Sequence, residues 1–131
     1  MIAEPKWLLR ESVLAMHERQ LAEHGGGEGI RDAGMLDSAL RRPVNKFAYG
    51  EPDLCDLAAA YAYGIARNHP FVDGNKRTAL VSSLTFQALN GLRTTSSQAE
   101  NVVIFLALAA GELDEDALAA WLRAHAVKAS G

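Results

Sequence analysis

An all-α fold, built as one compact helical domain over residues 1–131, is what this sequence predicts. Three observations carry that expectation. Apolar residues recur near helical spacing, as in Leu9, Val13, Met16 and Leu21 and again in Leu80, Val81, Leu84 and Leu89. Breakers fall between such runs, at Gly25-Gly26-Gly27, Pro43 and Asn90-Gly91. Capping residues stand where helices would begin, at Asp32, at Ser96 or Ser97, and at Asp114.

Taken in order, a first helix is expected from about Pro5 to His24, stopping at the glycine triplet. The triplet has no preceding strand and reads as a loop rather than a ligand cradle. Asp32 caps a short helix through Leu40 that Pro43 should terminate, and Asn45 to Pro52 reads as a loop. In that loop, Phe47 and Tyr49 are either half-buried packing or part of a docking surface for another protein. Helix-favouring residues run from about Leu57 to Arg67 and from about Arg77 to Leu89, the second expected to be a buried helix. Leu92 to Thr95 is expected to be extended, with a helix following Ser96 or Ser97. A last helix after Asp114 carries Leu118, Trp121 and Leu122, with Trp121 as a core anchor.

Composition narrows the function classes. A net charge of −3 argues against a broad nucleic-acid footprint, so no direct nucleic-acid partner is expected. The longest apolar stretch, Val102 to Ala110, falls far short of the roughly 20 residues a spanning helix requires. Glu4 and Pro5 interrupt any basic and apolar leader, which points to a cytoplasmic protein without membrane attachment. A single cysteine, Cys55, cannot form an internal disulfide and reads as a small core residue. His17, His24 and His125 have no metal-ligand spacing.

The chemistry is concentrated in His69-Pro70-Phe71-Val72-Asp73-Gly74-Asn75-Lys76-Arg77, between the two central helices. Pro70 disfavours helical geometry at His69 and ends the preceding helix there. Gly74 adopts a left-handed conformation without a Cβ clash, and Asn75 tolerates one better than most residues. Successive backbone N–H groups then converge at the positive end of the next helix, a favourable place for a phosphate. Lys76 adds a mobile point charge and Arg77 a planar fork. Asp73 supplies one carboxylate suited to Mg²⁺, although Asp-Gly is also a common turn. A histidine, whose reference pKa is ~6.5, suits proton abstraction from a hydroxyl, which makes His69 the candidate base. Phe71 reads as a buried anchor for the loop.

This nine-residue run resembles the signature of the Fic/Doc family, and specifically its Doc (death-on-curing) toxin branch. Gly29-Ile30-Arg31-Asp32, Met35 to Leu40, Pro43, and the run from Ala109 through Trp121-Leu122 are similar to other blocks of that branch. The resemblance implies a toxin of a toxin-antitoxin pair that moves a phosphoryl group from ATP, with Mg²⁺, onto a Ser or Thr of a translation protein. Elongation factor Tu is the acceptor it implies. His69 would be the base, Asp73 the metal ligand, and Gly74, Asn75, Lys76 and Arg77 the phosphate grip. It also implies a cognate antitoxin whose partly disordered segment folds over the toxin.

Position 76 bears on the reaction. Family members that transfer a nucleoside monophosphate carry Gly there, whereas Doc-type members carry Lys, which implies a reversed nucleotide with its γ-phosphate towards the acceptor. Gly74 belongs instead to the ordinary Fic pattern, so nucleotidyl transfer stands as the alternative. A catalytically silent binding module acting with an antitoxin is a further alternative. Ser96-Ser97-Gln98-Ala99-Glu100-Asn101 matches an inhibitory Fic string, but only three of its positions are constrained, and an N-cap serine with a first-turn glutamate is the preferred reading.

Overall fold

A computed structural model describes residues 2–129 and orders them as α1 (Arg10–His24), α2 (Ala33–Ala48), α3 (Leu54–Asn68), α4 (Asn75–Leu89), β1 (Leu92–Thr94), α5 (Gln98–Ala109), α6 (Glu115–Ala124) and β2 (Ala126–Lys128). The all-α expectation holds. The two three-residue strands form an antiparallel clip, with Arg93 opposite Val127, that pins the end of the chain to the turn after α4.

The fold is arranged around α3, which packs against α2, α4 and α6. Its sequence explains why: Ala58, Ala59, Ala60, Ala62 and Ala66 are all buried, so neighbouring helices approach closely on several sides. Gly64 marks the tightest approach, because a Cβ there would lie 3.0 Å from the Ala39 Cα of α2. α3 starts earlier than expected, at Leu54, because Asp53 and Asp56 form a reciprocal capping box. Arg123 of α6 then donates to both carboxylates and ties the two helices together.

Three sequence expectations need correction. The first helix begins at Arg10 rather than near Pro5. The residues before it form no regular element, with Leu9 extended, the Leu8 N–H donating to the Tyr61 hydroxyl and Lys6 exchanging two hydrogen bonds with the Asn90 side chain. Pro43 does not end α2. It lies buried inside the helix, which continues through Asn45 to Ala48 and absorbs most of the expected loop. A proline ring crowds the carbonyl four residues back, here that of Ala39, which lies beside Gly64 where no side chain intrudes. The buried face of α4 is also more polar than its leucines suggest. Asn75, Thr78, Ser82, Ser83 and Gln87 are buried with Ala79 and Phe86, whereas Leu89 is 43 % exposed. Small hydroxyl residues fit the closely approaching alanine face of α3, and bulky leucines would not.

Elsewhere the caps fall as expected, with Asp32, Ser97 and Asp114 each accepting a first-turn N–H. Phe47 is half-buried with its ring edge-on to Trp7, whereas Tyr49 is 89 % exposed at the end of α2. Trp121 is only half-buried, tilted against His125. Among the described residues no helix is long and apolar enough to cross a membrane.

Candidate active site

The loop between α3 and α4 is built by contacts that fix nearly every residue of the His69–Arg77 run. At His69 the chain turns left-handed (φ 49°, ψ 55°), and among the described residues this is the single non-glycine with positive φ. Such a conformation persists where its surroundings determine it. Arg31 does so here, donating to the His69 carbonyl at 2.6 Å and to the Asn68 carbonyl at 2.9 Å, and so satisfying the end of α3. The main chain of residues 29–32 adds three further bonds. The Pro70 carbonyl accepts from the Arg31 and Asp32 N–H groups, and the Val72 N–H donates to the Gly29 carbonyl.

Phe71 is fully buried and is the expected anchor. Its main chain is gripped by Asn75, whose Oδ1 accepts from the Phe71 N–H and whose Nδ2 donates to the Phe71 carbonyl, both at 3.0 Å. The same Nδ2 comes within 3.4 Å of His69 Nδ1. The Asn75 side chain is thus consumed in shaping the loop, and its main-chain N–H is what it offers an anion. Gly74 is left-handed at φ 78°, as expected, and precedes the first turn of α4 without supplying a side-chain cap. The N–H groups opening α4 therefore face the cleft uncapped, with the helix dipole behind them.

Asp73 is exposed, with Oδ1 accepting from the Gly74 N–H at 2.9 Å and Oδ2 from the Gly27 N–H at 3.4 Å. A single accessible carboxylate fits Mg²⁺, which is commonly held by one or two carboxylates together with water and substrate phosphates. No cluster of three or more acidic, histidine or cysteine side chains capable of holding a metal unaided is present among the described residues. Lys76 and Arg77 are exposed and pair with no carboxylate among the described residues, Asp73 included.

His69, Asp73, Gly74, Asn75, Lys76 and Arg77 all line one cleft of about 490 Å³. Val72 and Leu80 complete its near wall, and Val102, Phe105 and Leu106 of α5 form the far one. One end is therefore cationic and rich in N–H donors, and the other is apolar. Glu100 takes no part, because it closes a capping box with Ser97, and those hydrogen bonds hold its carboxyl below the usual range.

Two contributors to the site were given no part in it by sequence, where the glycine triplet reads as a plain loop and His17 as a histidine without metal spacing. The glycine triplet packs onto the loop: a Cβ on Gly26 would lie 2.9 Å from Asp73 Oδ2, and one on Gly27 would lie 2.9 Å from Val72. His17 lies beneath the loop, 3 % exposed, with Nε2 2.8 Å from the Asp73 carbonyl oxygen. Glycine content was a partial signal for the first. Nothing in helical periodicity announces the second.

Comparison with known proteins agrees with this construction. The family model described as the Fic/DOC family matches residues 7–87, from just before α1 to near the end of α4. "Protein kinase doc" of Escherichia phage P1 is 35 % identical over 114 residues, covering 86 % of this chain and 90 % of that protein. "Toxin Doc" of Mycolicibacterium smegmatis (strain ATCC 700084 / mc(2)155) is 37 % identical, covering 95 % of this chain and 96 % of its own. A family match over more than half the chain, joined to near full-length relatives, establishes that the chain belongs to the Fic/Doc family.

Proposed function

We propose that the protein is a Doc-type toxin that transfers the γ-phosphoryl group of ATP to a Ser or Thr hydroxyl of a translation protein, arresting translation. The observation that carries this reading is the union, in one cleft, of His69, an uncapped helix amino end and the cation of Lys76, which pairs with no carboxylate among the described residues. The names of the two relatives, a protein kinase and a toxin, support it. Elongation factor Tu is the proposed acceptor and a cognate antitoxin the proposed partner, both by family resemblance.

The geometry supports the following roles. The nucleotide's phosphates lie against the N–H groups that open α4, with Lys76 and Arg77 neutralising their charge. Asp73 would hold Mg²⁺, which when bound draws charge from the phosphate oxygens. The acceptor hydroxyl enters beside His69 and loses its proton to the imidazole ring. A bond forms from the acceptor oxygen to the γ-phosphorus as the bond to the β–γ bridging oxygen breaks, and ADP leaves. Positioning and charge stabilisation supply most of the rate in such transfers.

Gly74 favours a second reading. It is the residue of the ordinary Fic pattern, whose members transfer a nucleoside monophosphate, and the product would then be a nucleotidylated hydroxyl.

A cell-free translation reaction tests the toxin role. Wild-type protein should stop amino-acid incorporation in an ATP-dependent manner, and His69→Ala should inhibit about 10²- to 10⁴-fold less effectively, the range for loss of a general base. Equal inhibition by His69→Ala would favour the silent binding module instead.

A further inference from the structure

We propose that His17, on α1, is a positioning residue for this site, its Nε2–H and its ring together setting the direction of the Asp73–Gly74 peptide at the phosphate-binding end of the cleft. The proposal rests on reading Asp73 and the start of α4 as the nucleotide site.

Consecutive parts of the loop rest on this one imidazole. Its ring stacks on Phe71 with centroids 3.8 Å apart and planes 9° from parallel. Nε2 lies 2.8 Å from the Asp73 carbonyl oxygen, and because a carbonyl only accepts, that nitrogen bears the proton and donates. A Cβ on Gly74 would stand 3.6 Å from both Cδ2 and Nε2, so the ring also lies against that α-carbon.

The consequence follows from peptide planarity. The carbonyl of Asp73 and the N–H of Gly74 belong to one trans unit and point in opposite directions. Holding the carbonyl towards α1 therefore turns the Gly74 N–H away from it. There it meets Asp73 Oδ1 at 2.9 Å, which fixes the carboxylate on the cleft side. A 180° turn of this peptide would release the carboxylate and reverse an N–H beside the anion site. Phe71, by contrast, needs only an apolar neighbour, and any ring or leucine could fill that space. A buried imidazole adds a desolvation cost that the single hydrogen bond offsets, so the donor is the part of His17 that packing does not explain.

Two substitutions separate the donor from the ring. His17→Phe keeps a stacked ring on Phe71 and removes the N–H, whereas His17→Gln keeps an amide donor of similar reach and removes the ring. We would measure amide hydrogen exchange at residues 74–77 by NMR and the affinity for Mg²⁺·ATP by calorimetry, with the melting temperature as a measure of packing. His17→Phe should keep a melting temperature near wild type, speed exchange at residues 74–77 about fivefold and weaken Mg²⁺·ATP by about the same factor. His17→Gln should stay within about twofold of wild type in both, even where its melting temperature falls. His17→Phe matching wild type in exchange and affinity, or His17→Gln failing as badly as His17→Phe, would overturn the proposal. Should His17→Phe not fold, the His17→Gln result decides. Neither readout requires group transfer, so a wild-type protein that binds nucleotide and modifies nothing would defeat the functional reading while leaving His17 to be judged here. If wild type binds no Mg²⁺·ATP, the exchange rates alone decide.

Discussion

At the scale of single residues, the site depends on positions that place atoms as much as on those that would react. Arg31 holds a left-handed His69 by its carbonyl, and Asn75 spends its amide on Phe71. Gly26 is the clearest case for a test. Its φ of 126° is costly for any L side chain, and an added Cβ would stand 2.9 Å from the Asp73 carboxylate and 3.1 Å from Leu21. Gly25, at φ 77°, has nothing within 4 Å of such a Cβ. Gly26→Ala should therefore displace Asp73 and weaken Mg²⁺·ATP binding about tenfold, whereas Gly25→Ala should cost stability alone, about 1 kcal/mol. Calorimetric titration of both variants checks this, and equal affinities would contradict it. The chemistry-bearing run was legible in sequence because its parts are contiguous and each residue type has a narrow use. His17 was not legible, since its partner Asp73 lies 56 positions away and a lone histidine on an apolar helix face has no pattern to announce it.

At the scale of elements, the site is held by α3, whose neighbours approach through small residues and whose start is tied to α6. Gly64→Ala would place a Cβ within 3.0–3.2 Å of the Ala39 Cα, Cβ and carbonyl oxygen, atoms that move only with α2 itself. Overpacking of this kind should destabilise the fold by about 1–3 kcal/mol, measurable as a lower denaturant midpoint. An unchanged midpoint would show that α2 yields. The start of α3 carries a pH signature. Burial raises the Asp53 pKa, but the Arg123 hydrogen bond and charge, with the Asp56 N–H, outweigh it, so the group titrates below its ordinary 3.8. A carboxylate depressed in the folded state contributes stability that is present above its unfolded value and lost as pH falls through the folded one. Arg123→Leu should thus be less stable than wild type near neutrality, with the difference closing as pH falls below the carboxylate range. The difference should be modest, because the Arg123 and Asp53 side chains are 47 % and 44 % exposed. Melting curves across pH check it, and a difference that widened in acid would contradict the account. Helix α2 shows where element boundaries escape sequence reasoning. Pro43 is a helix breaker by local chemistry, yet it lies buried inside α2, which packs against α3.

At the scale of the whole molecule, the fold class was legible because helical periodicity, breakers and caps agree along most of the chain. The small clip of β1 and β2 was only half visible, since pairing depends on a partner strand that three residues barely specify. The architecture sets a rigid helical frame around one strained loop and leaves a cleft that is cationic at one end and apolar at the other. In the proposed function this cleft transfers a γ-phosphoryl group with His69 as base. The most direct measurement incubates wild type and His69→Ala with elongation factor Tu, Mg²⁺ and ATP labelled at either the α or the γ position. Label should appear on the acceptor from the γ position alone and be lost in His69→Ala. Label from the α position would contradict it and make the protein a nucleotidyl transferase. Label from neither would contradict the proposed acceptor or the catalytic reading itself.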